Sequence, residues 1–270
     1  MPVEDIDSGP ILVRLDGDVH YVTLNRPDSL NAISEDMYVG LLRILPAVDR
    51  APESKVMVVT GAGRGFCSGG DIKIAREKRA RDRVTTVLDY DRGRVKSPGL
   101  EMIHMLLSLE KPSIAMVNGP AAGLGANLAL LLDIAIMADE AKIGDTHVKA
   151  GLVAGDGGAV IWPLLVGPNR AKEFLMTGRL LGGQEAERLG LVSKSVPRAG
   201  LESEVKARAA ELAALPVYAA RATKVVVNQS LMAATTLLLQ ISLAYEQLSN
   251  KLAEREDAIV AFTEKSANDR

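Results

Sequence analysis

The 270-residue sequence predicts an α/β fold, with a mixed core followed by a helical C-terminal region. Two short apolar segments, VMVVT at 56–60 and SIAMVNG at 113–119, have the composition of strands buried on both faces, as in a parallel sheet. After residue 200 the apolar residues keep helical spacing only. We therefore expect a core over residues 1–200, and over residues 201–270 a set of helices that need a surface to pack on.

The N-terminal part of the core begins with a predicted β-hairpin. Segments ILVRL at 11–15 and VHYVTL at 19–24 are joined by DGD at 16–18, a sequence typical of a hairpin turn. A helix is predicted to begin after Ser34, because a serine hydroxyl suits an N-cap and acidic residues follow it. The apolar positions of this helix are 37, 41, 44, 45 and 48.

The rest of the chain is predicted to be mainly helical. The segment 72–96 is rich in charge and poor in apolar residues, which indicates a solvated helix or a loop. A short strand is predicted near 142–144. The predicted helices span 100–109, 126–137, 159–166, 170–177, 184–189, and 201–267 with a break at Pro216.

Composition and charge exclude several classes of protein. Apolar residues make up 47% and charged residues 24% of the chain, which are globular proportions. The net charge of −2 and the isoelectric point near 6.0 give no overall basic footprint, so nucleic acid is not an expected partner, although a local basic patch could still hold a small phosphorylated ligand. Cys67 is the only cysteine, so an intrachain disulfide and a cysteine-rich zinc site are excluded.

The location expected from the sequence is the cytoplasm, with no membrane partner. The N-terminus is acidic and polar, unlike a signal peptide. The longest apolar run, 128–138, contains Asp133 and is much shorter than the roughly 20 residues of a membrane-spanning helix.

The glycine-rich turn after the first buried strand, TGAGRG at 60–65, looks like a dinucleotide-binding turn. Three observations argue against that interpretation. A hairpin and a helix precede the turn, and the sequence FCSGG at 66–70 separates it from any following helix. None of the five tyrosines is followed four residues later by the lysine that a short-chain dehydrogenase would need. The turn therefore has another role.

A second glycine-rich turn, GPAAGLGAN at 119–127, follows the second buried strand. Glycine allows a peptide N–H to point into a cavity, because no side chain blocks the approach. Two such amides aimed at one point form an oxyanion hole, which stabilises negative charge on a carbonyl oxygen by about 3 kcal/mol for each donor. The paired turns are consistent with this device.

The two turns carry a resemblance to a known family. FCSGGDIK at 66–73 and VNGPAAGLGANLALLLD at 117–133 resemble the hallmark segments of the crotonase (enoyl-CoA hydratase/isomerase) superfamily. The resemblance continues through 24–34, 177–197 and 261–265. It implies a crotonase-like spiral core of ββα units that holds the active site, and a C-terminal helical region that forms homotrimers or hexamers built as dimers of trimers. It also implies acyl-CoA thioester substrates.

The resemblance assigns roles to residues of this sequence. The thioester oxygen would lie between the backbone N–H groups of Gly70 and Leu124. Asp28 stands where the family often has a lysine, so one phosphate contact of CoA is expected to be missing or supplied elsewhere. No cofactor and no metal are expected apart from the coenzyme A of the substrate. The residues expected to bind CoA are Ser68, Asp71, Ile72, Lys73, Phe262 and Lys265, and the last two would reach the adenine and phosphate end.

The acid and base of this sequence depart from those of the hydratases. The two hydratase glutamates are replaced here by Asn127 and His147. Asn127 cannot exchange a proton, although it can orient water or substrate. His147 can serve as a general base, since the unperturbed pKa of histidine is about 6.5. Asp156 can either support His147 or cap the helix expected to begin near Ala159.

Three functions remain open at this point. The first is a lyase or isomerase of the enoyl-CoA hydratase family, in which His147 and Asp156 transfer the proton of an enolate. The second is a carbon–carbon bond hydrolase of a β-diketone in which His147 activates water, because the His and Asp arrangement is similar to that of such members of the superfamily. The third is an acyl-CoA-binding protein with little catalysis. Cys67 and Trp162 are expected to be packing residues.

Overall fold

A computed structural model describes residues 3, 6, 8–71 and 98–268 of the chain, with only the backbone described for residues 98 and 262–268. The charged segment 72–96, predicted to be a solvated helix or a loop, therefore lies outside the described residues. The α/β prediction is confirmed by a main sheet covered by helices.

Strands form one large and one small sheet. The strands are β1 (Ile11–Asp16), β2 (Val19–Leu24), β3 (Val56–Gly61), β4 (Ser113–Val117), β5 (Ala121–Ala122), β6 (Ile134–Ala138), β7 (Lys142–Gly144), β8 (Leu181–Gly182) and β9 (Lys194–Val196). The main sheet has the order β1-β2-β3-β4-β6-β9 and is parallel except for the β1–β2 hairpin. The small sheet has the order β5-β7-β8.

Helices lie between and after the strands. They are α1 (Glu35–Arg50), α2 (Pro98–Ser108), α3 (Leu124–Leu131), α4 (Gly158–Val166), α5 (Pro168–Thr177), α6 (Gly183–Arg188), α7 (Arg198–Ala213), α8 (Val217–Ser249) and α9 (Glu254–Asn268). Two 3₁₀ turns, Pro27–Ser29 and His147–Ala150, complete the described secondary structure.

The N-terminal elements follow the predicted pattern. The Ser34 hydroxyl accepts a hydrogen bond from the Met37 amide at 3.3 Å, which caps α1 as expected. All five predicted apolar positions of α1 are buried. Strand β3 is buried along its whole length, which is the burial expected of a central parallel strand.

One predicted helix is wrong over half of its length. Residues 126–137 were expected to be a single helix, but α3 ends at Leu131 and residues 134–138 form β6, between β4 and β9. The Asp133 carboxylate accepts hydrogen bonds from the amide and hydroxyl of Ser113, at 2.7 and 2.8 Å, and so ties the chain to the start of β4. A continuous apolar run does not separate a buried helix from a buried strand.

Strand β9 and a helix break were also missed. Strand β9 has only three residues and pairs with β6 at the edge of the main sheet. The helical C-terminal region breaks at Pro216 as predicted, and again between Ser249 and Glu254.

Helix α7 packs on the main sheet through Leu201, Val205 and Ala209. The division at residue 200 remains a prediction.

Helix α8 is 33 residues long and carries an apolar stripe, by which we mean Leu237, Leu238, Ile241, Tyr245 and Leu248. These residues recur at helical spacing and are exposed. By length and composition alone α8 would also suffice to cross a membrane. Its opposite face packs against α2 and α4, so the helix joins the core on one side and leaves the stripe open on the other.

Candidate active site

The two glycine-rich turns lie side by side at the carboxyl ends of β3 and β4. These strands are parallel neighbours, so the turns that follow them emerge at the same edge of the sheet. Cys67 forms a bridge with Ala121, in which its carbonyl accepts from the Ala122 amide at 2.9 Å and its amide donates to the Pro120 carbonyl at 3.1 Å. The turns are thus joined by main-chain hydrogen bonds.

Glycine is required in these turns by the close approach of the two backbones. Gly69 has φ +94°, and a Cβ on it would lie 2.7 Å from the Ala122 carbonyl oxygen. A Cβ on Gly125 would lie 2.2 Å from the Cys67 carbonyl oxygen.

Cys67 itself is fully buried, and burial raises the pKa of its thiol to about 12. That agrees with packing and excludes a thiolate nucleophile.

Two amides at the meeting point of the turns are left without a main-chain acceptor. Ile33 pairs with the carbonyl of Gly69 and the amide of Asp71, so the amide of Gly70 points away from it. Leu124 is the first residue of α3, where an amide has no acceptor within the helix. Within the part of the chain that the structure describes, neither amide donates a hydrogen bond. A Cβ on Gly69 would lie 3.6 Å from the Leu124 nitrogen, so the residue that precedes Gly70 lies in contact with Leu124.

His147 lies between two carboxylates. Its Nδ1 is 2.6 Å from Oδ1 of Asp145, and its Nε2 is 3.1 Å from Oδ2 of Asp156. The contact between His147 and Asp156 that the sequence could only suggest is therefore present. Asp156 does not cap α4, because the N-cap is Gly157, which makes no side-chain bond. The sequence analysis missed Asp145, although it lies only two residues before His147.

Asn127 holds the two carboxylates together. Its amide nitrogen is 2.9 Å from Oδ1 of Asp156 and 3.2 Å from Oδ2 of Asp145. Its amide oxygen accepts from Nε1 of Trp162 at 3.2 Å. Because the indole can only donate, it fixes the Asn127 amide with its NH₂ group toward the carboxylates. Trp162 packs edge-on against Phe174 as a core residue does, but it also orients the site.

The charges of this group follow from its surroundings. Burial alone would lower the pKa of His147, but the carboxylates of Asp156 and Asp145 outweigh it and raise that pKa well above its usual value. Burial opposes the charge of Asp145, yet His147 and Asn127 keep the pKa of Asp145 below its ordinary value. The two carboxylates therefore favour the imidazolium form of His147 in this structure.

The imidazole lies against the second turn. A Cβ on Gly123 would be 3.4 Å from Cε1 of His147, an ordinary van der Waals distance, so the ring lies directly beside this residue. Gly123 also has φ +52°, a conformation that favours glycine. Leu124 follows Gly123 directly. The proton-carrying ring and the unpaired Leu124 amide thus meet at one point of the backbone.

Helix α8 adds an acid that the sequence analysis missed. Glu246 lies one turn after Ser242, whose hydroxyl donates to the Gly155 carbonyl at 2.8 Å. A Cβ on Gly155 would lie 2.5 Å from Oε2 of Glu246, so this side chain packs on the segment that leads to Asp156. The spacing of Leu239, Ser242 and Glu246 places all three on the buried side of α8, and this spacing is visible in the sequence.

The residues expected to bind CoA are only partly described. Ser68 donates from its hydroxyl to the Ser29 carbonyl at 3.1 Å, and Asp71 accepts from Arg26 at 2.9 Å. Asp28, the departure from the family pattern, is exposed. Ile72 and Lys73 lie outside the described residues, as do the side chains of Phe262 and Lys265.

Asp145, His147 and Asp156 also bring their ligand atoms within 4.8 Å of one another, a separation that a cation could bridge. In the structure both nitrogens of His147 are paired with carboxylates, Nδ1 with Asp145 and Nε2 with Asp156.

Comparison with known proteins identifies the family of the chain. The family model described as enoyl-CoA hydratase/isomerase matches residues 14–269. A probable enoyl-CoA hydratase of Mycobacterium bovis is 31% identical over 259 residues, which is 95% of this chain and 96% of that protein. A 1,2-epoxyphenylacetyl-CoA isomerase of Escherichia coli is 31% identical over 257 residues, with 94% and 95% covered.

Solved structures agree with the sequence comparison. An enoyl-CoA hydratase/isomerase from Mycobacterium paratuberculosis is 36% identical, with a TM-score of 0.82 over 97% of this chain and 99% of that one. Another, from Xanthobacter autotrophicus, is 27% identical, with a TM-score of 0.80 over 97% and 94%. The resemblance seen in the glycine-rich turns is confirmed over nearly the whole chain. The chain belongs to the enoyl-CoA hydratase/isomerase family of the crotonase superfamily.

Proposed function

We propose that this enzyme binds an acyl-CoA thioester and stabilises its enolate with the amides of Gly70 and Leu124. The observation that carries the proposal is the pair of unbonded amides on adjoining turns. Donors fixed by the fold need no reorganisation when charge develops on the thioester oxygen, and each is worth about 3 kcal/mol. The proposed CoA contacts are Ser68, Asp71, Ile72, Lys73, Phe262 and Lys265.

Proton transfer is assigned to the pair formed by His147 and Asp156. The imidazolium of His147 carries a proton that it can donate, and the Asp156 carboxylate at 3.1 Å can accept one. A proton that leaves the α-carbon of the substrate would pass to Asp156, and the proton on Nε2 would return to the enolate or to a leaving oxygen. Asp145 and Asn127 position the pair through the hydrogen bonds described above.

The two-glutamate mechanism of hydration is not available to this chain. The resemblance to the hydratases puts Asn127 and His147 at the two glutamate positions, and Asn127 cannot exchange a proton. We therefore expect slow hydration of crotonyl-CoA, and faster turnover of a substrate whose reaction needs one mobile proton and an enolate. Movement of a double bond in an acyl-CoA is such a reaction.

A second candidate is hydrolysis of a carbon–carbon bond in a β-diketone. The specific observation in its favour is the Asp156 carboxylate beside the ring of His147, because the carboxylate can accept a proton from water while the imidazolium donates one. Water would add to one carbonyl and lose a proton to Asp156. The bond between the carbonyl carbon and the central carbon would then break, which gives a carboxylic acid and an enolate that takes up a proton.

We expect the enzyme to be a homotrimer or a hexamer in the cytoplasm, with the same site geometry in each copy of the chain. The support for assembly is the apolar stripe of α8, which is long, uncharged and open in the single chain. Association through this stripe would bury it. No partner other than substrate and further copies of the chain is proposed.

A substrate panel tests these assignments. Loss of the enoyl absorbance of crotonyl-CoA measures hydration, double-bond migration in a 3-enoyl-CoA measures isomerisation, and cleavage of a cyclic β-diketone without CoA measures the hydrolase. We expect His147→Gln to abolish the activity found, and Lys149→Gln, an exposed change on the same 3₁₀ turn, to leave it unchanged. Unchanged turnover in His147→Gln would contradict the assignment. Tight binding of acyl-CoA without any turnover would leave a binding protein.

A further inference from the structure

The C-terminal helix α8 brings a third acid to the site. Oε2 of Glu246 is buried and, among the residues that the structure describes, has no hydrogen-bond partner. A buried carboxylate oxygen without a donor is costly, because neither water nor the protein solvates its charge. A neutral carboxylic acid in the same place costs much less.

The side chain of Glu246 packs directly against the loop that leads to Asp156. A Cβ on Gly155 would lie 2.5 Å from Oε2 of Glu246 and 2.6 Å from the carbonyl oxygen of Ser242. The Ser242 hydroxyl meanwhile binds the Gly155 carbonyl at 2.8 Å. Helix and loop are therefore in contact along this edge, and Oε2 of Glu246 is held against the residue that precedes Asp156.

Four charged groups act on Glu246 from the elements packed around it. Burial is the largest influence, and together with the nearby charges of Asp156 and Asp145 it raises the pKa of Glu246 to about 8. His147 and Arg255 act in the opposite direction but do not outweigh it. The guanidinium of Arg255 is engaged with the Asn250 side chain and the Ala150 carbonyl.

We propose that Glu246 is a positioning residue of this site, held as a neutral carboxylic acid behind Asp156. With Glu246 neutral, the imidazolium of His147 is shared between two carboxylates only, and Asp156 stays free to accept the Nε2 hydrogen bond. Ionisation of Glu246 would place a third negative charge beside Asp156 and drive the 153–157 loop away from α8. The effect on catalysis rests on the proposed function, whereas the protonation state does not.

Infrared spectroscopy tests the protonation state without any substrate. The full-length protein at about pH 7 should show the carbonyl band of a protonated carboxylic acid, and the band should vanish as pH rises beyond about 8, the value at which Glu246 titrates. The band should be absent from Glu246→Gln and present in Glu211→Gln, a control on an exposed glutamate at the end of α7. If Glu246→Gln does not fold, titration of the wild-type band alone decides the matter. Absence of the band at neutral pH would overturn the proposal.

The pH profile of turnover tests the positioning role. Wild type and Glu211→Gln should lose activity as Glu246 ionises near pH 8, by a factor that approaches about tenfold for each further pH unit. Glu246→Gln is a neutral isostere and should keep its neutral-pH rate while losing this decline. The same decline in Glu246→Gln would overturn the positioning role. No turnover of any substrate would instead count against the proposed function, and the infrared result would still stand.

Discussion

His147 is the residue on which the charge of the site depends. Burial of an imidazolium is unfavourable, but Asp145 at 2.6 Å and Asp156 at 3.1 Å reverse the balance. The ring is thus held as a cation by two partners, and removal of the ring leaves both carboxylates uncompensated. The same arrangement gives the protein a pH-dependent stability.

The first prediction concerns this pH dependence. The folded pKa of His147 lies above its unfolded value of about 6.5, so its stabilising effect is complete below that pH and is lost as pH rises through the raised folded pKa. We expect His147→Gln to lower the free energy of unfolding by roughly 3–5 kcal/mol at pH 6 and by progressively less at higher pH. Urea denaturation across pH measures it. A difference that grows with pH would contradict the account.

That comparison is best made in a Glu246→Gln background. Folding raises the pKa of Glu246 to about 8, so its titration also lowers the stability as pH rises from about 4.3, its unfolded value. With Glu246 replaced in both proteins, the remaining pH dependence above about pH 6.5 belongs to His147.

The second prediction concerns Trp162. In Trp162→Phe the amide oxygen of Asn127 loses its donor while the edge contact with Phe174 is retained. We expect the free energy of unfolding to fall by about 1–3 kcal/mol, because a buried hydrogen-bond acceptor is left unpaired. Turnover should fall as well, since Asn127 is then free to reverse its amide. Phe174→Leu, which removes the ring contact but keeps the hydrogen bond, is the control. Equal turnover losses in the two variants would assign Trp162 to packing alone.

At the scale of single residues, the sequence predicted which residues belong to the site better than it predicted which of them contact one another. His147, Asp156 and Asn127 could be found because they fall on positions of a recognised segment. Asp145 and Glu246 were not found, since their importance comes from their proximity to His147 in three dimensions, which the helical spacing around Glu246 does not report.

Among the elements, the two glycine-rich turns carry the most stringent geometry. Gly69 combines a positive φ with a distance of 2.7 Å between its Cβ position and the Ala122 oxygen. Gly200, near the start of α7, has no atom within 4 Å of its Cβ position. The same substitution at these two positions therefore meets opposite environments.

The third prediction uses that contrast. Gly69→Ala should destabilise the protein by roughly 1–3 kcal/mol, because the left-handed backbone and the close carbonyl both oppose a methyl group. It should also reduce turnover at least tenfold, since the amides of Gly70 and Leu124 are moved apart. Gly200→Ala should be neutral or stabilising by up to about 1 kcal/mol. Thermal unfolding and turnover measure both, and a Gly69→Ala enzyme with wild-type turnover would refute the assigned role of the turn.

The helices and strands were predictable where the spacing of apolar residues agrees with the turn and capping residues at their ends. The β1–β2 hairpin, the capped α1 and the buried β3 follow their patterns. Strand β6 was mistaken for helix because an unbroken apolar run fits both, and the choice was made by Asp133 pairing with Ser113, a contact between residues 20 positions apart.

At the scale of the whole molecule, helix α8 has two faces in different surroundings. One face holds Ser242 and Glu246 against the loop of Asp156. The other is the apolar stripe, of which Ile241 lies near the middle and is 58% exposed. Covering the stripe with further copies of the chain would stabilise the helix that packs on the loop of Asp156.

The fourth prediction is that Ile241→Lys breaks the proposed assembly. A charge in the centre of an apolar interface is costly, whereas Thr236→Lys, on an exposed face of α8 away from the stripe, should be tolerated. Sedimentation velocity should show a trimer or hexamer for wild type and Thr236→Lys, and smaller species for Ile241→Lys. A monomeric wild type, or one that floats with lipid vesicles, would contradict the proposal.

The central claim is that the amides of Gly70 and Leu124 meet at one carbonyl oxygen. The measurement that tests it most directly is the isotope-edited infrared spectrum of an acyl-CoA with a ¹³C-labelled thioester carbonyl, recorded in buffer and bound to the protein. The account predicts a lower stretching frequency in the complex, because two fixed donors weaken the carbonyl bond. A carbonyl frequency equal to or above that in buffer, with the ligand fully bound, would contradict it.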